Sequence, residues 1–402
     1  MDTDRIDAAF QKWIDEKKLP NAALIVRKDD TVVYRNRFGF SDIKSKTPLL
    51  ETDLFRMMSM TKPVTAAGVL RLSDRGLLDI DDPVSEYLPA FKGMRVQSEE
   101  RYLPRAGIRP AEAAKLFLTY RRDKVKTVPA EREITLRDLL SHSAGIEQGV
   151  IGFIELMKDK TRYASLGEHV DAYTKYILDF QPGTFTGYSP IAGFDILLRV
   201  CEIVSGKTAD VFLRDEVFVP LGMRSATFDR AKAEKQGLVR LYKMRKHGLS
   251  DVTGKRADMK NIMHFQDGYI CGSGGLFMTA SDYETFARML CNDGRHEQTR
   301  FLRPETVRMM GTEAAAKHLE PEPGYTWGLG VKIRQNKEQG GFSCTEGTYG
   351  WSGAYGTHFF ISPADRLEAV FATNVANIGG SGSFVNPVLE KLVFDIFVKG
   401  ER

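Results

Sequence analysis

The sequence is poor in cysteine and contains no Cys-x-x-Cys motif. Its 402 residues include only four cysteines, which are Cys201, Cys271, Cys291 and Cys344. Disulfide frameworks and zinc sites need closely spaced or regularly paired ligands, and this scattered set provides neither. Free cysteine is among the residue types most often buried. We therefore predict reduced thiols in the interior of the protein, as is usual in a reducing compartment.

Long apolar runs are also missing. The longest apolar stretches, at residues 64–70 and 392–398, are far shorter than the roughly 20 residues that a membrane-spanning helix needs. The first residues include Asp2 and Asp4 and contain neither the apolar core nor the small-residue cleavage site of a signal peptide. We therefore expect a cytoplasmic protein without a transmembrane helix.

The chain has no marked excess of charge of either sign. It contains 57 Lys and Arg residues against 53 Asp and Glu residues, a formal net charge of +4. So small an excess over this length gives no sign of the basic surface that nucleic-acid binding requires. With 42% hydrophobic and 27% charged residues, the composition is that of a folded globular protein, which excludes disorder as the main state. We expect a small-molecule or protein partner.

The spacing of apolar residues predicts sheet-forming parts near both ends of the chain and a mostly helical part between them. A helix over residues 4–17 and a hairpin of residues 22–27 and 31–37 begin the chain. A second helix is expected to begin near Ser59 and to end at Gly76. Helical patterns then follow at 110–120, 135–142, 168–179, 191–204 and 208–216. Strand-like pieces return at 327–333, 356–361 and 367–374, and a last helix at 386–398 is expected beside the first.

The motif Ser59-Met60-Thr61-Lys62 stands where an extended segment gives way to a helix. Positions three apart lie on one helix face, so Ser59 and Lys62 would stand side by side at the helix N-terminus. A serine hydroxyl is a weak nucleophile until a neighbouring base takes its proton, and lysine is that base only where its surroundings favour the neutral amine. The helix N-terminus adds a field that favours an alkoxide. The alternative interpretation is an N-cap serine followed by a solvated lysine.

Two further motifs lie in predicted loops. Tyr-Ser-Pro at residues 188–190 precedes a helix, and a tyrosine there could relay protons between a serine oxygen and a leaving group. The alternative is a core tyrosine whose hydroxyl binds the backbone. The glycine-rich segment 349–357 precedes a strand-like run. Its small residues indicate either the close approach of a ligand to the backbone or a hairpin turn.

Together these motifs resemble those of the serine β-lactamase and penicillin-binding-protein superfamily. The matching motifs, in the order and at roughly the spacing of that superfamily, are Ser59-x-x-Lys62, Tyr188-Ser189-Pro190 and Trp351-Ser352-Gly353. Three flanking stretches are similar as well, at residues 139–145, 274–282 and 325–330. The chain is most similar to the class C-like branch known as family VIII carboxylesterases, and the resemblance extends from about residue 5 to residue 398.

The resemblance implies an α/β (α+β) serine β-lactamase-like fold, with an antiparallel sheet flanked by helices and a mostly helical second domain. Residues 1–80 and 265–402 would form the α/β domain, and residues 81–264 would form the helical domain. The active site would lie in the groove between them. The resemblance implies no metal or organic cofactor and a small-molecule ester as partner. The charge balance and the short apolar runs predict no nucleic acid and no membrane partner, and the oligomeric state is left open.

The same resemblance assigns roles to individual residues. It implies that Ser59 is the acylated nucleophile, that Lys62 accepts its proton, and that Tyr188 is the base that assists attack and activates water for deacylation. The oxyanion hole would consist of the backbone N–H groups of Ser59 and Ala354. The third motif is expected to bind substrate, through Trp351, Ser352 and Gly353. His142 matches no catalytic position and is expected to be structural.

Two positions depart from the β-lactamase pattern. The second motif of β-lactamases is Tyr-x-Asn, whose Asn donates to the side chain of the antibiotic, whereas Pro190 cannot donate. Their third motif usually opens with a Lys or His that helps to hold the substrate carboxylate, whereas this one opens with Trp351. Both changes weaken the recognition of a penicillin and favour a neutral group in the cleft. We therefore predict a serine carboxylesterase that cleaves short-chain, neutral esters through an acyl-enzyme on Ser59.

Several alternatives stay open at this point. An acyltransferase, or a weak β-lactamase or DD-peptidase-like enzyme, would use the same Ser59 and would differ in what captures the acyl group. A non-catalytic penicillin-sensing module would retain the pocket, but the joint presence of Ser59, Lys62 and Tyr188 argues against it. An α/β-hydrolase is not supported, because the sequence contains no Gly-x-Ser-x-Gly motif, which carries the nucleophile of that class.

Overall fold

The computed structural model describes residues 2–102, 110–255, 258, 269–312, 317–318, 323–380 and 382–400. Its helices within these ranges are α1 (Asp4–Asp15), α2 (Thr61–Asp74), α3 (Val84–Tyr87), α4 (Pro110–Thr119), α5 (Leu136–Leu140), α6 (Val150–Lys158), α7 (Leu166–Tyr173), α8 (Ala192–Ser205), α9 (Ala209–Leu213), α10 (Arg230–Lys235), α11 (Ala280–Cys291), α12 (Pro304–Met310), α13 (Lys337–Gly340) and α14 (Val385–Phe397). Its strands are β1 (Asn21–Lys28), β2 (Thr31–Asp42), β3 (Thr47–Pro48), β4 (Phe55–Arg56), β5 (Arg95–Gln97), β6 (Thr127–Pro129), β7 (Phe185–Thr186), β8 (Tyr242–Arg245), β9 (Gly248–Asp251), β10 (Phe277–Met278), β11 (Arg295–His296), β12 (Thr299–Arg300), β13 (Lys317–His318), β14 (Tyr325–Trp327), β15 (Lys332–Arg334), β16 (Tyr349–Ser352), β17 (His358–Ser362) and β18 (Leu367–Ala372).

The two ends of the chain build one eight-stranded sheet. Its order is β14-β15-β16-β17-β18-β1-β2-β3, and every neighbouring pair is antiparallel. The central strand β18 has six consecutive buried residues, because helices cover it on both faces. On one face α1 and α14 pack through an aromatic core that includes Phe10 and Phe394. On the other face α11 lies against β1, β17 and β18, and α2 packs on α8 beyond it.

Most of the elements predicted near the two ends of the chain are confirmed. The first helix, the β1–β2 hairpin and the last helix form within a few residues of their predicted bounds, and α1 contacts α14 as expected. The four cysteines are free, and three of them are buried, while Cys291 is partly exposed. The predicted division into an α/β domain and a helical domain stays a prediction. None of the helices in the described ranges is long and apolar enough to cross a membrane.

Two local predictions are wrong, and one helix was not predicted. The strand-like piece 327–333 is a tight β14–β15 hairpin, because Gly330, at φ +79°, turns the chain between the two strands. The helix predicted at 168–179 ends at Tyr173 because Leu178 instead pairs with the backbone of β5, where its N–H donates to the carbonyl of Arg95 at 2.9 Å. The sequence pattern also missed α6. In the first two cases, contacts made in the folded structure override the local propensity.

A largely buried cluster of Arg27, Glu284 and Glu368 leads us to predict that the free energy of unfolding depends on pH. Arg27 of β1 stands opposite Glu368 of β18, and its guanidinium Nε lies 2.6 Å from a carboxylate oxygen of Glu284 and 3.4 Å from one of Glu368. Burial, together with the nearby charge of Glu284, raises the pKa of Glu368 from 4.5 to about 8. Folding therefore favours the protonated carboxyl of Glu368 between these two pH values.

We expect this contribution of Glu368 to be complete below about pH 4.5 and to be lost as the pH rises through about 8. Glu368→Gln removes the ionisation, so its stability relative to the wild type should increase by about 1–3 kcal/mol between pH 6 and pH 9. Urea unfolding of both proteins at each pH measures the difference. A stability difference that is the same at both pH values would contradict the prediction.

Candidate active site

Ser59 sits in a short 3₁₀ turn, Met58–Met60, that leads into α2. The turn is held from behind by a strand pair, since β4 pairs with β10 and the N–H of Met57 donates to the carbonyl of Leu276 at 2.9 Å. Met58 has a φ of +51°, a left-handed conformation that a residue with a side chain adopts at a cost and that often marks functional sites. The sharp bend leaves Ser59 half-buried between buried neighbours.

Lys62 is fully buried in the first turn of α2. Its Nζ donates to the carbonyl oxygens of Pro190 at 2.7 Å and Ser273 at 3.0 Å. The same atom lies 4.9 Å from the centre of the Tyr188 ring. The sequence predicted Lys62 at the helix start beside Ser59. The structure shows in addition that Lys62 contacts the second motif, through the Pro190 carbonyl and the ring of Tyr188.

Tyr188 makes the direct contact with Ser59. Its hydroxyl donates to Ser59 Oγ at 2.6 Å, and it lies in the loop between β7 and α8, where the sequence predicted a loop. The ring centre is 5.1 Å from that of Trp351 and 5.0 Å from that of His142. Two predicted site residues that are 129 positions apart in the sequence are thus within hydrogen-bonding distance.

His142 lies behind this loop and is almost fully buried, at 1% exposure. Its Nδ1 accepts the N–H of Ser189 at 3.1 Å, so the proton of a neutral ring is on Nε2. Burial, with a smaller contribution from the charge of Lys62, lowers the pKa of His142 well below 6.5. His142 therefore supports the second motif as a neutral acceptor and makes no hydrogen bond to Ser59 among the described contacts.

The residues of the third motif face opposite sides of strand β16. Trp351 turns toward Tyr188, while the Ser352 hydroxyl turns away, 2.8 Å from His358 Nδ1, and accepts Asn386 Nδ2 at 3.2 Å. Alternation along a strand explains the difference, because successive side chains point to opposite faces. The expected contact of substrate with Ser352 stays a prediction.

Gly353 brings the third motif against the turn that contains Ser59. A Cβ atom at this position would lie 2.3 Å from the carbonyl oxygen of Met57 and 2.1 Å from Thr357 Oγ1, so only glycine fits. Ala354, the next residue, is exposed. The backbone N–H groups of Ser59 and Ala354 donate to no described residue, which leaves the two expected oxyanion donors available.

The rings of Tyr188, His142, Trp327 and Trp351 form an aromatic wall beside the hydroxyls of Tyr188 and Ser59. The sequence predicted only part of this wall. The ring centre of Trp327 lies 4.4 Å from that of His142 and 4.6 Å from that of Trp351. Trp327 occurs in one of the similar flanking stretches, and no feature of the sequence assigned it to the site.

Two buried acids near Lys62, Glu147 and Asp195, were also missed. Burial raises the pKa of Glu147 to about 7 and that of Asp195 to about 6. No motif or periodicity singles out either residue, because the partners of each are distant in the sequence: backbone N–H groups of α8 for Glu147, and the Tyr269 hydroxyl and Ser273 N–H for Asp195.

Comparison with known proteins gives consistent matches over nearly the whole chain. The family model with the description "Beta-lactamase" matches residues 6–389. Esterase EstB of Burkholderia gladioli is 26% identical over 399 residues, which cover 94% of this chain and 92% of EstB. Lovastatin esterase of Penicillium rubens is 29% identical, with 91% of this chain and 92% of that protein covered. The solved structure of EstCE1, a hydrolase with promiscuous acyltransferase activity, has a TM-score of 0.73 at 23% identity and covers 94% of this chain and 95% of its own.

Proposed function

The chain belongs to the β-lactamase family and is a serine hydrolase with esterase relatives, and from this premise we propose that it cleaves short-chain, neutral carboxylic esters through an acyl-enzyme on Ser59. Its serine β-lactamase-like fold, predicted from the sequence, is confirmed. The observation that carries the proposal is the 2.6 Å hydrogen bond between the hydroxyls of Tyr188 and Ser59, beside the buried Lys62.

Acylation begins with attack of Ser59 Oγ on the ester carbonyl carbon. The Ser59 proton passes to the oxygen of Tyr188, which can accept as well as donate, once the phenol has released its own proton toward the Lys62 amine. The carbonyl oxygen becomes an oxyanion, for which the free N–H groups of Ser59 and Ala354 are the donors. When the tetrahedral intermediate collapses, the bond to the alcohol oxygen breaks, and the alcohol leaves with the proton held by Tyr188.

Deacylation repeats the sequence with water. A water molecule attacks the acyl carbon and gives its proton to the oxygen of Tyr188. The bond to Ser59 Oγ then breaks, the acid leaves, and the proton returns to Ser59. One phenol oxygen thus serves as base for attack and as acid for departure in both steps, as a group within hydrogen-bonding distance of the nucleophile can do.

The preference for neutral esters is supported by the side chains around the nucleophile. Trp351 occupies the position where β-lactamases carry a cation. It packs against Tyr188 and Trp327 as part of the aromatic wall. Pro190 has no N–H to offer to an acylamido side chain, and its carbonyl is already bound to Lys62. A charged substrate would therefore be desolvated against aromatic rings with little compensation.

We expect kcat/KM for p-nitrophenyl butyrate to exceed that for a chromogenic cephalosporin by at least about 10²-fold, because a site without partners for the polar groups of the antibiotic rejects it. Steady-state rates with both substrates measure the ratio. Mass spectrometry of the enzyme quenched during turnover should find the butyryl group on the peptide that contains Ser59.

Two outcomes would contradict the proposal. Comparable kcat/KM values for the ester and the cephalosporin would overturn the substrate class. An acyl group on another residue, or none under conditions where product forms, would overturn the Ser59 intermediate. A stable acyl-enzyme that never releases acid would instead favour the penicillin-sensing alternative.

A further inference from the structure

We propose that Glu147 is a positioning residue of the active site, which holds the start of α8 and, through it, the carbonyl of Pro190 that binds Lys62. The inference rests on the proposed function, because it concerns how Lys62 and Tyr188 are held for the reaction on Ser59. It assigns a task to a buried acid that lies in none of the three motifs.

The carboxylate of Glu147 binds the backbone immediately after the second motif. One of its oxygens, Oε2, accepts the N–H of Ile191 and the N–H of Ala192, both at 2.8 Å. The same oxygen accepts the hydroxyl of Ser189 at 3.4 Å. The contacts thus lie on both sides of Pro190. Glu147 is only 3% exposed, so these bonds are shielded from water and are stronger than they would be at the surface.

The sequence at the start of α8 explains why an acid is needed there. The N-cap residue of this 14-residue helix is Ile191, whose side chain cannot cap, and no side chain from the N-cap position binds the first turn. The first N–H groups of a helix need acceptors, and the helix dipole favours a negative charge beside them. Ser189 Oγ accepts the N–H of Gly193 at 3.1 Å. Glu147 supplies the acceptor for the two N–H groups before it, and the acidic group, from a distant loop in which its own φ is +57°.

The position of Lys62 depends on the same helix start. Its Nζ donates to the carbonyls of Pro190 and Ser273, and the hydroxyl of Ser273 in turn donates to the carbonyl of Ile191. Both acceptors of Lys62 are therefore tied to the residue that Glu147 holds. A shift of Ile191 would move them together, and Tyr188, two residues before Pro190, would move with them.

The described hydrogen bonds of the Glu147 side chain all come from residues 189–192. Its carboxylate therefore acts through this loop and does not touch the reacting hydroxyls. A change at Glu147 should alter how well the catalytic groups are aligned, while Trp327 and Trp351 of the aromatic wall stay in place. The expected signature is a loss in kcat with little change in KM.

Three variants separate the reach of the side chain from its charge. In Glu147→Gln the amide oxygen can take the place of Oε2. The NH₂ group then takes the place of Oε1, which has no hydrogen-bond partner among the described residues. Glu147→Asp keeps the charge but withdraws the oxygen, and Glu147→Ala removes both. We expect the Gln variant to stay within about 5-fold of the wild-type kcat, and the Asp and Ala variants to lose about 10- to 100-fold, all with KM for p-nitrophenyl butyrate changed less than about 3-fold.

Glu368→Ala is the matched control. Glu368 is also a buried glutamate whose pKa burial raises, to about 8, but it lies in β18 beside Arg27 of β1. It makes no bond to the second motif or to Lys62 among the described contacts. We expect this variant to change in stability and to keep the wild-type kcat. Circular dichroism and urea unfolding of every variant separate folding from rate.

The outcomes distinguish the inference from the function on which it rests. If the wild type forms the Ser59 acyl-enzyme but a folded Glu147→Ala variant keeps the wild-type kcat, only this inference is wrong. Should the Ala variant fail to fold, the Asp and Gln variants decide, and a kcat for Asp equal to or above that for Gln overturns it. A loss of kcat in folded Glu368→Ala as large as in Glu147→Ala overturns it too. A wild type that forms no acyl-enzyme on Ser59 overturns both proposals.

Discussion

Ser59→Ala should lower kcat for p-nitrophenyl butyrate by at least about 10⁴-fold. The expected loss is this large because the proposed mechanism has no other group that forms the covalent intermediate, and what is left is catalysis by the oxyanion donors and by binding alone. The variant should still fold, since the Ser59 side chain makes no capping bond to α2. We expect its free energy of unfolding to change by less than about 1 kcal/mol.

Steady-state hydrolysis at high enzyme concentration measures the residual rate, and urea unfolding provides the folding control. Ser73→Ala, a substitution near the other end of α2, should keep the wild-type rate and serves as the matched control. Hydrolysis by Ser59→Ala within a few fold of the wild type would show that Ser59 is not the nucleophile.

Tyr188→Phe should lower kcat by about 10² to 10⁴-fold, the usual contribution of general acid–base catalysis. Phenylalanine keeps the ring that packs against Trp351 and His142 but removes the oxygen that binds Ser59 Oγ. Because one phenol oxygen serves both steps in the proposed mechanism, acylation and deacylation should slow together. Single-turnover acylation and steady-state hydrolysis of the p-nitrophenyl ester measure the two effects separately.

Tyr34→Phe provides a control for the loss of a buried phenol. The hydroxyl of Tyr34 is also bonded, to Asp7 Oδ1 at 2.5 Å, but it lies on the α1 side of the sheet. This variant should keep the wild-type rate. If a well-folded Tyr188→Phe enzyme also hydrolyses the ester at nearly the wild-type rate, Tyr188 is a core tyrosine, and Lys62 or another group must carry the protons.

Several features of the site could be predicted because their signal is local. Ser59-x-x-Lys62 lies at a strand-to-helix junction, and Tyr188 lies in a loop before a helix, as the pattern of apolar residues indicates. The unexpected features are contacts between distant parts of the chain. The pairing of Lys62 with the carbonyls of Pro190 and Ser273 is one. The place of Trp327 in the aromatic wall is another.

The fold shows the same difference between elements with a local signal and elements that depend on long-range contacts. The β1–β2 hairpin and the last helix follow from short-range periodicity and turn residues, which the sequence carries in full. The helix predicted at 168–179 was wrong because Leu178 pairs with β5, a contact that lies more than 80 positions away in the chain. Such a contact competes with the local preference only after the chain has collapsed, so no local pattern reports it.

The sequence was sufficient to place the sheet-forming parts at both ends of the chain, the three motifs and the groups able to react. The tertiary structure alone decided which of these groups meet. A hydrogen bond forms only within about 3 Å, and the 129 positions that separate Ser59 from Tyr188 leave that distance open until the chain is packed. The same reason explains Glu147, an acid that lies in no motif. Only packing brings it to the start of α8, where the N-cap residue Ile191 has no capping side chain and Glu147 accepts the N–H groups of Ile191 and Ala192.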